Sequence, residues 1–436
     1  MLSRTAPASA PATPAPATPS PANPGPGNAS SANAGRVLLI ASNFPPVRGG
    51  SAVVYDMLAQ HAGGRITVMA PRRGYHDGLP LIGWREHDRR APYPVIRRDL
   101  LRTELADDGT GGGLSRARFR LRDLAIRTGL FAAVSRLILT GGVRAVCVGE
   151  LVAGGWLLNA LLVFPWVRRI VYVHGEEITT RDGYDDDFAR RRRYLAAADK
   201  VVVVSRFTRD AVAGLLGPAA AAAPIVLIEN GVDTRRFRPG PKRADLLAFY
   251  GLERAFVFVS VCRLLEKKGI DHAIRAFGQL WRDDPALRYL VVGEGAWRPM
   301  FEQIAAREGV TDAVIFTGLV AEEDLVDHYR LGDVFVMPNR ELANGDTEGF
   351  GLVFLEANGC GLPVIAGDAG GSPDAVTDQV NGLVVDGRDL GAIEAAMRRL
   401  RADAGLRAAL AEGGARAAAA ADWAGRAERF VEVCGG

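Results

Sequence analysis

Residues 345–356 read GDTEGFGLVFLE, and the segments on either side of them set the pattern on which the fold prediction rests. An apolar run at 334–337 reads as a strand, and a glycine-rich loop follows it. Leu352 then begins an apolar stretch that reads as a buried helix, and a second apolar run at 364–366 reads as the next strand. This strand–loop–helix–strand order is typical of parallel α/β sheets.

The same alternation extends along most of the chain. The predicted strands are apolar throughout, which is typical of parallel strands covered by helices on both faces. They lie at 37–41, 66–70, 145–149, 170–173, 201–204, 225–228, 256–261, 289–292, 314–317, 334–337, 364–366 and 383–385. Because 436 residues are too many for one ordinary core, we expect an α/β protein with two facing, Rossmann-like, doubly wound domains and a ligand cleft between them.

The domain boundaries follow from composition and turn signals. Residues 1–34 are mostly Ala, Pro, Ser, Thr, Asn and Gly, which predicts a disordered tail without the apolar core of a signal peptide. The turn signal Asn-Gly near residue 230 separates an N-terminal domain at 35–232 from a C-terminal domain at 233–415. Residues 416–436 are expected to form a helix that packs back on the N-terminal domain.

Charge and cysteine usage exclude several classes of protein. The formal net charge of +3 is too small to predict a nucleic-acid partner. The four cysteines are far apart in the sequence, which predicts neither a disulfide framework nor a zinc site. No apolar run reaches the roughly 20 residues that span a bilayer. We therefore expect a cytoplasmic protein, with a peripheral position on the inner face of the membrane as the alternative.

The two carboxylates of the opening segment, Glu348 and Glu356, are eight positions apart. If most of that span is helical, they lie about 12 Å apart, because a helix rises about 1.5 Å per residue. Two carboxylates that act on one glycosidic bond are about 5–9.5 Å apart. The spacing instead suits an elongated ligand whose diphosphate meets the glycine-rich helix start. The alternative is an ordinary helix start at which Glu348 complements the helix dipole.

The segment resembles the Glu-x7-Glu motif of the retaining glycosyltransferases of family 4 (glycosyl transferases group 1), which have the GT-B fold. Glu348 and Glu356 match its glutamates. The residues that match the loop and helix start are Gly349, Phe350, Gly351 and Leu352. The resemblance spans residues 36–433 and is strongest over 229–386. It implies transfer of a hexose from a nucleotide-sugar to a glycan or lipid-linked acceptor in cell-envelope polysaccharide or glycolipid synthesis.

A second element, Arg263 to Gly269, resembles the family's Arg-x4-Lys-Gly motif. The resemblance implies that Arg263 and Lys268 clamp the donor diphosphate and stabilise the leaving group. Lys267 also offers a charge, and the choice of Lys268 rests on the family spacing. The alternative for this stretch is a solvated loop between a strand and a helix. With these cations in place, the resemblance implies no metal and no cofactor apart from the nucleotide-sugar co-substrate.

Three further positions match the family. The resemblance implies that His174, which ends a strand and precedes a glycine, faces the donor sugar. Gly49 and Gly50 resemble the N-terminal glycine-rich loop near the donor phosphates and the acceptor, although a Gly-Gly turn is ordinary by itself. Leu319 and Val320 are candidates for the nucleobase pocket. A lone histidine is more often structural, and the position of His174 at a strand end is what favours a role in the site.

Residues 114–144 carry seven arginines and a single acid, Asp123, with apolar residues interleaved. This pattern predicts a basic amphipathic helix. Two interpretations are open: a surface helix of the first domain with a solvated arginine face, or a helix that makes a peripheral contact with an anionic membrane. The acidic run at 185–187 and the arginines at 190–193 are interpreted as a solvated loop and helix start rather than a metal site.

The resemblance to a retaining family implies that the reaction retains the anomeric configuration. Because no carboxylate nucleophile is evident in the sequence, front-side attack is the expected course. The two alternatives are a nucleotide-sugar epimerase of the same fold and a non-catalytic nucleotide-sugar-binding protein. The donor is predicted to be GDP-mannose or a UDP-sugar, with GDP-mannose favoured by the resemblance to bacterial envelope mannosyltransferases and glucosyltransferases.

Overall fold

The structure is a computed structural model that describes residues 36–74, 78–98, 113–181, 185–218 and 224–435. The predicted tail at 1–34 lies outside these residues. Among the described residues, no helix is long and apolar enough to cross a membrane.

The first of two sheets has seven strands, all paired in parallel, in the order β3-β2-β1-β4-β5-β6-β7. The strands are β1 Arg36–Ile40, β2 Ile66–Pro71, β3 Val95–Arg98, β4 Val143–Val148, β5 Arg168–Val173, β6 Lys200–Val203 and β7 Ile225–Leu227. The helices that accompany them are α1 Gly50–His61, α2 Trp84–Arg90, α3 Gly113–Thr140, α4 Leu151–Gly154, α5 Trp156–Ala160, α6 Glu176–Thr179, α7 Ala189–Ala196 and α8 Arg206–Leu216. Helices cover both faces of the sheet, so its central strands are almost wholly buried.

The second sheet has six parallel strands in the order β10-β9-β8-β11-β12-β13. The strands are β8 Val257–Val261, β9 Arg288–Val292, β10 Val314–Gly318, β11 Val334–Met337, β12 Val364–Gly367 and β13 Gly382–Val385. The helices are α9 Ala244–Tyr250, α10 Ile270–Asp283, α11 Arg298–Arg307, α12 Leu325–Leu331, α13 Leu352–Gly359, α14 Ser372–Ala375, α15 Leu390–Ala402, α16 Ala404–Ala420 and α17 Trp423–Val433. The two parallel sheets with their helical layers confirm the predicted fold class.

Every strand predicted from the sequence is present, and one further strand, β3, was missed. It lies at the edge of the first sheet and ends in two arginines, so it lacks the continuous apolar run of the inner strands. Arg97 is nevertheless buried, because its guanidinium pairs with Asp88 at 2.7 Å and donates to the carbonyl of Pro45 at 2.6 Å.

The strand order of each sheet places the ligand crevice. In the first sheet the order reverses at β1, which lies between β2 and β4. In the second sheet it reverses at β8, which lies between β9 and β11. Ligands of open parallel sheets bind beyond the carboxyl ends of the strands at such a reversal. The loops after β8 and β11 are therefore the expected floor of the site.

The last helix, α17, packs against the first sheet although it follows the second in sequence. Phe430 lies 5.8 Å from the ring of Tyr172 on β5, and Arg65 forms a hydrogen bond of 3.0 Å with Glu428. Trp423 is buried at the start of the helix, where Asp422 caps the backbone. The chain thus passes from the second sheet back to the first.

The interpretation of 185–187 and 190–193 as a wholly solvated face was wrong for two residues. Asp185 and Arg191 are buried. The carboxylate of Asp185 accepts the backbone N–H groups of Arg190 at 3.1 Å and of Arg191 at 2.9 Å, because the first turn of α7 leaves those donors free. The run therefore starts a helix, as predicted, with its first acid turned inward.

Candidate active site

The predicted site residues lie at the carboxyl ends of strands in both sheets. His174 follows β5, Gly49 is the N-cap of α1, and Gly50 is the first residue of that helix. In the second sheet the positions follow three different strands: Arg263 and Lys268 after β8, Leu319 and Val320 after β10, and the segment from Glu348 to Leu352 after β11. The two groups face each other across a narrow cleft.

Lys268 and Glu348 form an ion pair at the reversal point of the second sheet. Both side chains are mostly buried, with exposed fractions of 13% and 15%. Burial alone raises the pKa of the Glu348 carboxyl, but the charges of Lys268, Lys267 and Arg263 outweigh that effect and hold the pKa below its usual value. Glu348 is therefore an ionised hydrogen-bond acceptor near neutral pH.

The two neighbouring lysines have different partners. Lys267 Nζ lies 2.6 Å from the carboxylate of Asp346 and 3.2 Å from that of Glu176, on the opposite side of the cleft. Arg263 is exposed, and within the described part of the chain its guanidinium has no ion-pair partner. Lys268 therefore lies against Glu348, and Lys267 bridges the cleft.

The turn that carries the lysines is held by a buried ion pair that the sequence analysis missed. The guanidinium of Arg340 forms hydrogen bonds of 2.7 and 3.0 Å with the carboxylate of Asp271. The backbone N–H of Arg340 donates to the carbonyl of Lys267 at 2.8 Å. The bidentate pair joins the first turn of α10 to the loop after β11, and the backbone hydrogen bond joins that loop to the turn with the lysines.

Helix α13 begins at Leu352 with Gly351 in the left-handed region, at φ 90°. Its free N–H groups and dipole favour an anion at this end. Only the second half of the span between Glu348 and Glu356 is helical, so the estimate of about 12 Å for a mostly helical span does not apply. The two carboxylates are distinguished instead by their different partners.

Glu356 lies in a less charged environment than Glu348. The hydroxyl of Tyr329 donates to Glu356 Oε2 at 2.7 Å. Burial raises the pKa of Glu356, and the hydrogen bond from Tyr329 and the charge of Arg236 offset only part of that rise. Glu356 thus keeps one carboxylate oxygen without a hydrogen bond among the described residues, available to a ligand hydroxyl.

His174 is fixed on the first-sheet side of the cleft. Its Nε2 lies 2.7 Å from the hydroxyl of Tyr55, and its ring stacks on Tyr172 with 5.1 Å between the ring centres. Both oxygens of Glu177 accept backbone N–H groups, from His174 at 2.7 Å and from Gly175 at 3.0 Å. Burial lowers the pKa of His174 to about 4, so the imidazole is neutral near pH 7.

The loops of the two sheets meet at glycines. A Cβ atom on Gly349 would lie 1.8 Å from the carbonyl oxygen of His174, and one on Gly175 would lie 3.0 Å from Gly349 Cα. Gly50 faces Leu352, whose Cδ1 would be 3.6 Å from a Cβ atom. The approach of Gly349 to His174 and Gly175 requires residues without side chains, whereas the 3.6 Å at Gly50 is an ordinary van der Waals contact. Phe350, between the two motif glycines, is buried.

The candidates for the nucleobase pocket and the N-terminal glycine-rich loop make fewer contacts than the other predicted site residues. Leu319 is exposed, whereas the carbonyl of Val320 accepts a hydrogen bond of 2.6 Å from Arg48. A Cβ atom on Gly49 would meet nothing within 4 Å, which leaves space beside the N-terminal glycine-rich loop. Within the ranges that the structure describes, no three His, Cys, Asp or Glu side chains form a group that could hold a metal ion.

Comparisons with known proteins agree with this geometry. The family model described as Glycosyl transferases group 1 matches residues 247–417, and the one described as Glycosyltransferase Family 4 matches residues 48–236. A GDP-mannose-dependent alpha-(1-6)-phosphatidylinositol monomannoside mannosyltransferase of Mycolicibacterium smegmatis is 35% identical over 381 residues, which cover 84% of this chain and 89% of that protein. A D-inositol 3-phosphate glycosyltransferase of Salinispora arenicola is 40% identical over 201 residues, which cover 43% of this chain and 44% of that protein.

Solved structures are similar in fold. Sucrose-phosphate synthase from Thermosynechococcus elongatus superposes with a TM-score of 0.70 and 22% identity over 92% of this chain and 98% of that one. Anabaena Alr3699/HepE in complex with UDP and glucose gives a TM-score of 0.70 with 18% identity over 92% and 99% of the two chains. The sequence matches and the paired parallel sheets together show that the chain belongs to glycosyltransferase family 4 and is a hexosyltransferase with the GT-B fold.

Proposed function

We propose that the enzyme transfers mannose from GDP-mannose, with retention of configuration, to a hydroxyl of an inositol-containing, lipid-linked acceptor of the cell envelope. The observation that carries this proposal is the 35% identity to the phosphatidylinositol monomannoside mannosyltransferase, which extends over 84% of this chain and 89% of that relative. A match of this length includes both walls of the cleft, and hence the donor and the acceptor sides.

The donor is proposed to lie along the second sheet. The cations Lys268 and Arg263 and the N-terminus of α13, with Gly349, Phe350, Gly351 and Leu352, would hold the diphosphate. Glu348, ionised by its pairing with Lys268, would accept hydrogen bonds from the sugar hydroxyls. Glu356 would hold the ribose, and Leu319 and Val320 would contact the base. These charges neutralise the diphosphate, so we propose that no metal ion is needed.

The reaction is proposed to proceed on one face of the sugar. The bond between the anomeric carbon and the diphosphate oxygen breaks as the acceptor oxygen bonds to the same carbon. The acceptor proton passes to the leaving diphosphate, whose growing negative charge Lys268 and Arg263 stabilise. His174 would contact the sugar, and Gly49 and Gly50 would lie beside the phosphates and acceptor. Closure of the cleft would exclude water, which otherwise competes as an acceptor.

We propose the same domain organisation that the sequence predicts. The acceptor-side domain spans 35–232, the donor-side domain spans 233–415, and the segment at 416–436 returns to the acceptor-side domain. The contacts of Phe430 with Tyr172 and of Arg65 with Glu428 support this return.

Donor identity is tested by thermal shift. GDP-mannose at about 100 times its Kd should stabilise the protein by about 2.7 kcal/mol, which raises Tm by a few degrees. UDP-glucose and UDP-N-acetylglucosamine should raise Tm by less than a degree at the same concentration. GDP-glucose serves as the control that separates recognition of the base from recognition of the sugar. A larger shift with either UDP-sugar than with GDP-mannose would refute the proposed donor.

We also propose that helix α3 places the enzyme on anionic membranes. Its arginines at 118, 120 and 122 are exposed, and so are Leu121 and Leu124, by 67% and 58%. The neighbouring loop adds exposed Leu162, Val163 and Trp166, and Phe164 from that loop stacks on Phe131 of α3. Exposed apolar side chains among cations suit a surface with lipid tails below anionic headgroups.

Co-sedimentation with vesicles tests the membrane proposal. Vesicles that contain phosphatidylinositol should bind the enzyme at low salt and release it as salt increases, because the arginine contribution is screened. Replacing Leu121 and Leu124 with Glu should weaken binding at least tenfold. Ile82→Glu is the control, because Ile82 is an exposed apolar residue of the same domain that is not part of α3. Equal binding of all three proteins would contradict the proposal.

A further inference from the structure

Tyr55 of α1 lies beneath the imidazole of His174 and is completely buried. Its hydroxyl contacts the carbonyl oxygen of Gly149 and lies 2.7 Å from His174 Nε2. Gly149 leaves the space that this ring needs, since a Cβ atom there would lie 2.6 Å from Tyr55 Cζ. The hydroxyl of Tyr55 therefore connects the loop after β4 to the histidine after β5.

The direction of each hydrogen bond follows from the inventory of donors and acceptors. A backbone carbonyl accepts and never donates, so the single hydroxyl proton of Tyr55 goes to Gly149. The oxygen of Tyr55 then serves His174 as an acceptor, and Nε2 must carry the proton. Because the neutral imidazole has one N–H group, Nδ1 is left as a bare acceptor.

The surroundings keep the ring in this state. The low pKa of His174, which burial causes, keeps the ring neutral near pH 7. Glu177 fixes the backbone of His174 and Gly175 through both carboxylate oxygens. Among the described residues, the ring makes its hydrogen bond through Nε2 alone. Nδ1 is thus available to a group from outside the protein.

We propose that Tyr55 is a positioning residue that selects the Nε2–H tautomer of His174 and so presents Nδ1 as the acceptor for a hydroxyl of the donor sugar. Tyr55 does not touch the substrate. This inference rests on the proposed role of His174 at the sugar, but the tautomer itself is a property of the free protein and is measurable without any substrate.

The test is nitrogen NMR of the full chain with ring-15N-labelled histidine, assigned by comparison with a His174→Gln variant. The free wild-type protein should show His174 protonated at Nε2. In Tyr55→Phe the ring loses its acceptor, so a substantial fraction should shift to the Nδ1–H tautomer. The same variant should lose about tenfold in kcat for transfer, because a proton on Nδ1 removes the lone pair that accepts the hydrogen bond of the sugar hydroxyl.

Tyr172→Phe is the matched control. The Tyr172 hydroxyl is buried beside the same imidazole but has no hydrogen-bond partner among the described residues. Its removal should leave both the tautomer and kcat within twofold of wild type. A wild-type His174 protonated at Nδ1 would overturn the proposal, even if Tyr55→Phe does not fold. A shifted tautomer with unchanged kcat would also overturn it, whereas failure of GDP-mannose as donor would leave the NMR result intact.

Discussion

Replacement of Lys268 with Ala is expected to lower kcat/KM for sugar transfer by about 10³-fold, which corresponds to about 4 kcal/mol. The reason is that Lys268 is a mostly buried cation that pairs with Glu348 and, in the proposed mechanism, faces the diphosphate as negative charge grows. Arg263 remains in the variant, so the diphosphate keeps one cation. The measurement is steady-state kinetics with GDP-mannose and a lipid acceptor.

Part of the expected loss in kcat/KM would come from Glu348, because Lys268→Ala leaves this carboxylate buried without its ion-pair partner. The double variant Lys268→Ala/Glu348→Gln separates the two effects. It should recover any Tm lost in the single variant, because no unpaired charge remains, but it should not recover activity. Residues that act as a unit are strongly non-additive, so the double variant should be little slower than the single one.

Lys242→Ala is the matched control for this prediction. Lys242 pairs with Asp333 at 2.7 Å, outside the cleft. The control therefore also replaces an ion-paired lysine with alanine. Activity within twofold of wild type is expected there. If Lys268→Ala also retained more than a tenth of wild-type kcat/KM, Lys268 would have no role in stabilising the leaving group.

The fold was largely predictable because its inner strands are buried on both faces and read as continuous apolar runs. The edge strand β3 was missed for the opposite reason, since Arg97 and Arg98 occupy half of it. Covered edges can accommodate charged residues wherever a partner such as Asp88 is near. That pairing depends on tertiary structure, so the periodicity of the sequence does not indicate it.

The candidate site also contains residues that the sequence could predict and residues that it could not. Residues within one short motif, such as Glu348 and Glu356, could be selected from local spacing and from the family resemblance. Their supporting residues could not be, because Tyr329 is 27 positions from Glu356 and Tyr55 is 119 positions from His174. A buried tyrosine in a helix looks like an ordinary core residue. Only the three-dimensional structure shows which hydroxyl reaches a functional side chain.

The distinction between Lys267 and Lys268 illustrates the limit of sequence reasoning. Both lysines follow the same strand, and family spacing alone selected Lys268. In the structure the short turn at Glu266–Lys268 sends the two side chains in different directions: Lys268 contacts Glu348, and Lys267 reaches Asp346 and Glu176. The choice of Lys268 for the proposed diphosphate contact is consistent with this arrangement, and its role there stays a prediction.

Gly349→Ala is expected to reduce kcat/KM by about 10²-fold or more. The added Cβ atom would lie 1.8 Å from the carbonyl oxygen of His174, so the two loops must separate by more than an ångström. A displacement of that size at a reacting centre costs about 10²-fold in rate. Gly349 is not among the glycines with positive φ, so Ala fits its backbone conformation and the effect arises at the cleft.

The clash lies between the two sheets rather than inside either one, so separation of the domains relieves it without unfolding. The variant should therefore keep its Tm, bind GDP through the second domain, and show a larger radius of gyration by small-angle X-ray scattering. Gly425→Ala is the control, because a Cβ atom there meets nothing within 4 Å and the residue lies in the first turn of α17, where its backbone is already helical. In the proposed mechanism, closure brings His174 to the donor. A Gly349→Ala enzyme with both a wild-type radius and wild-type kcat/KM would show that the tight glycine contact is not required for catalysis.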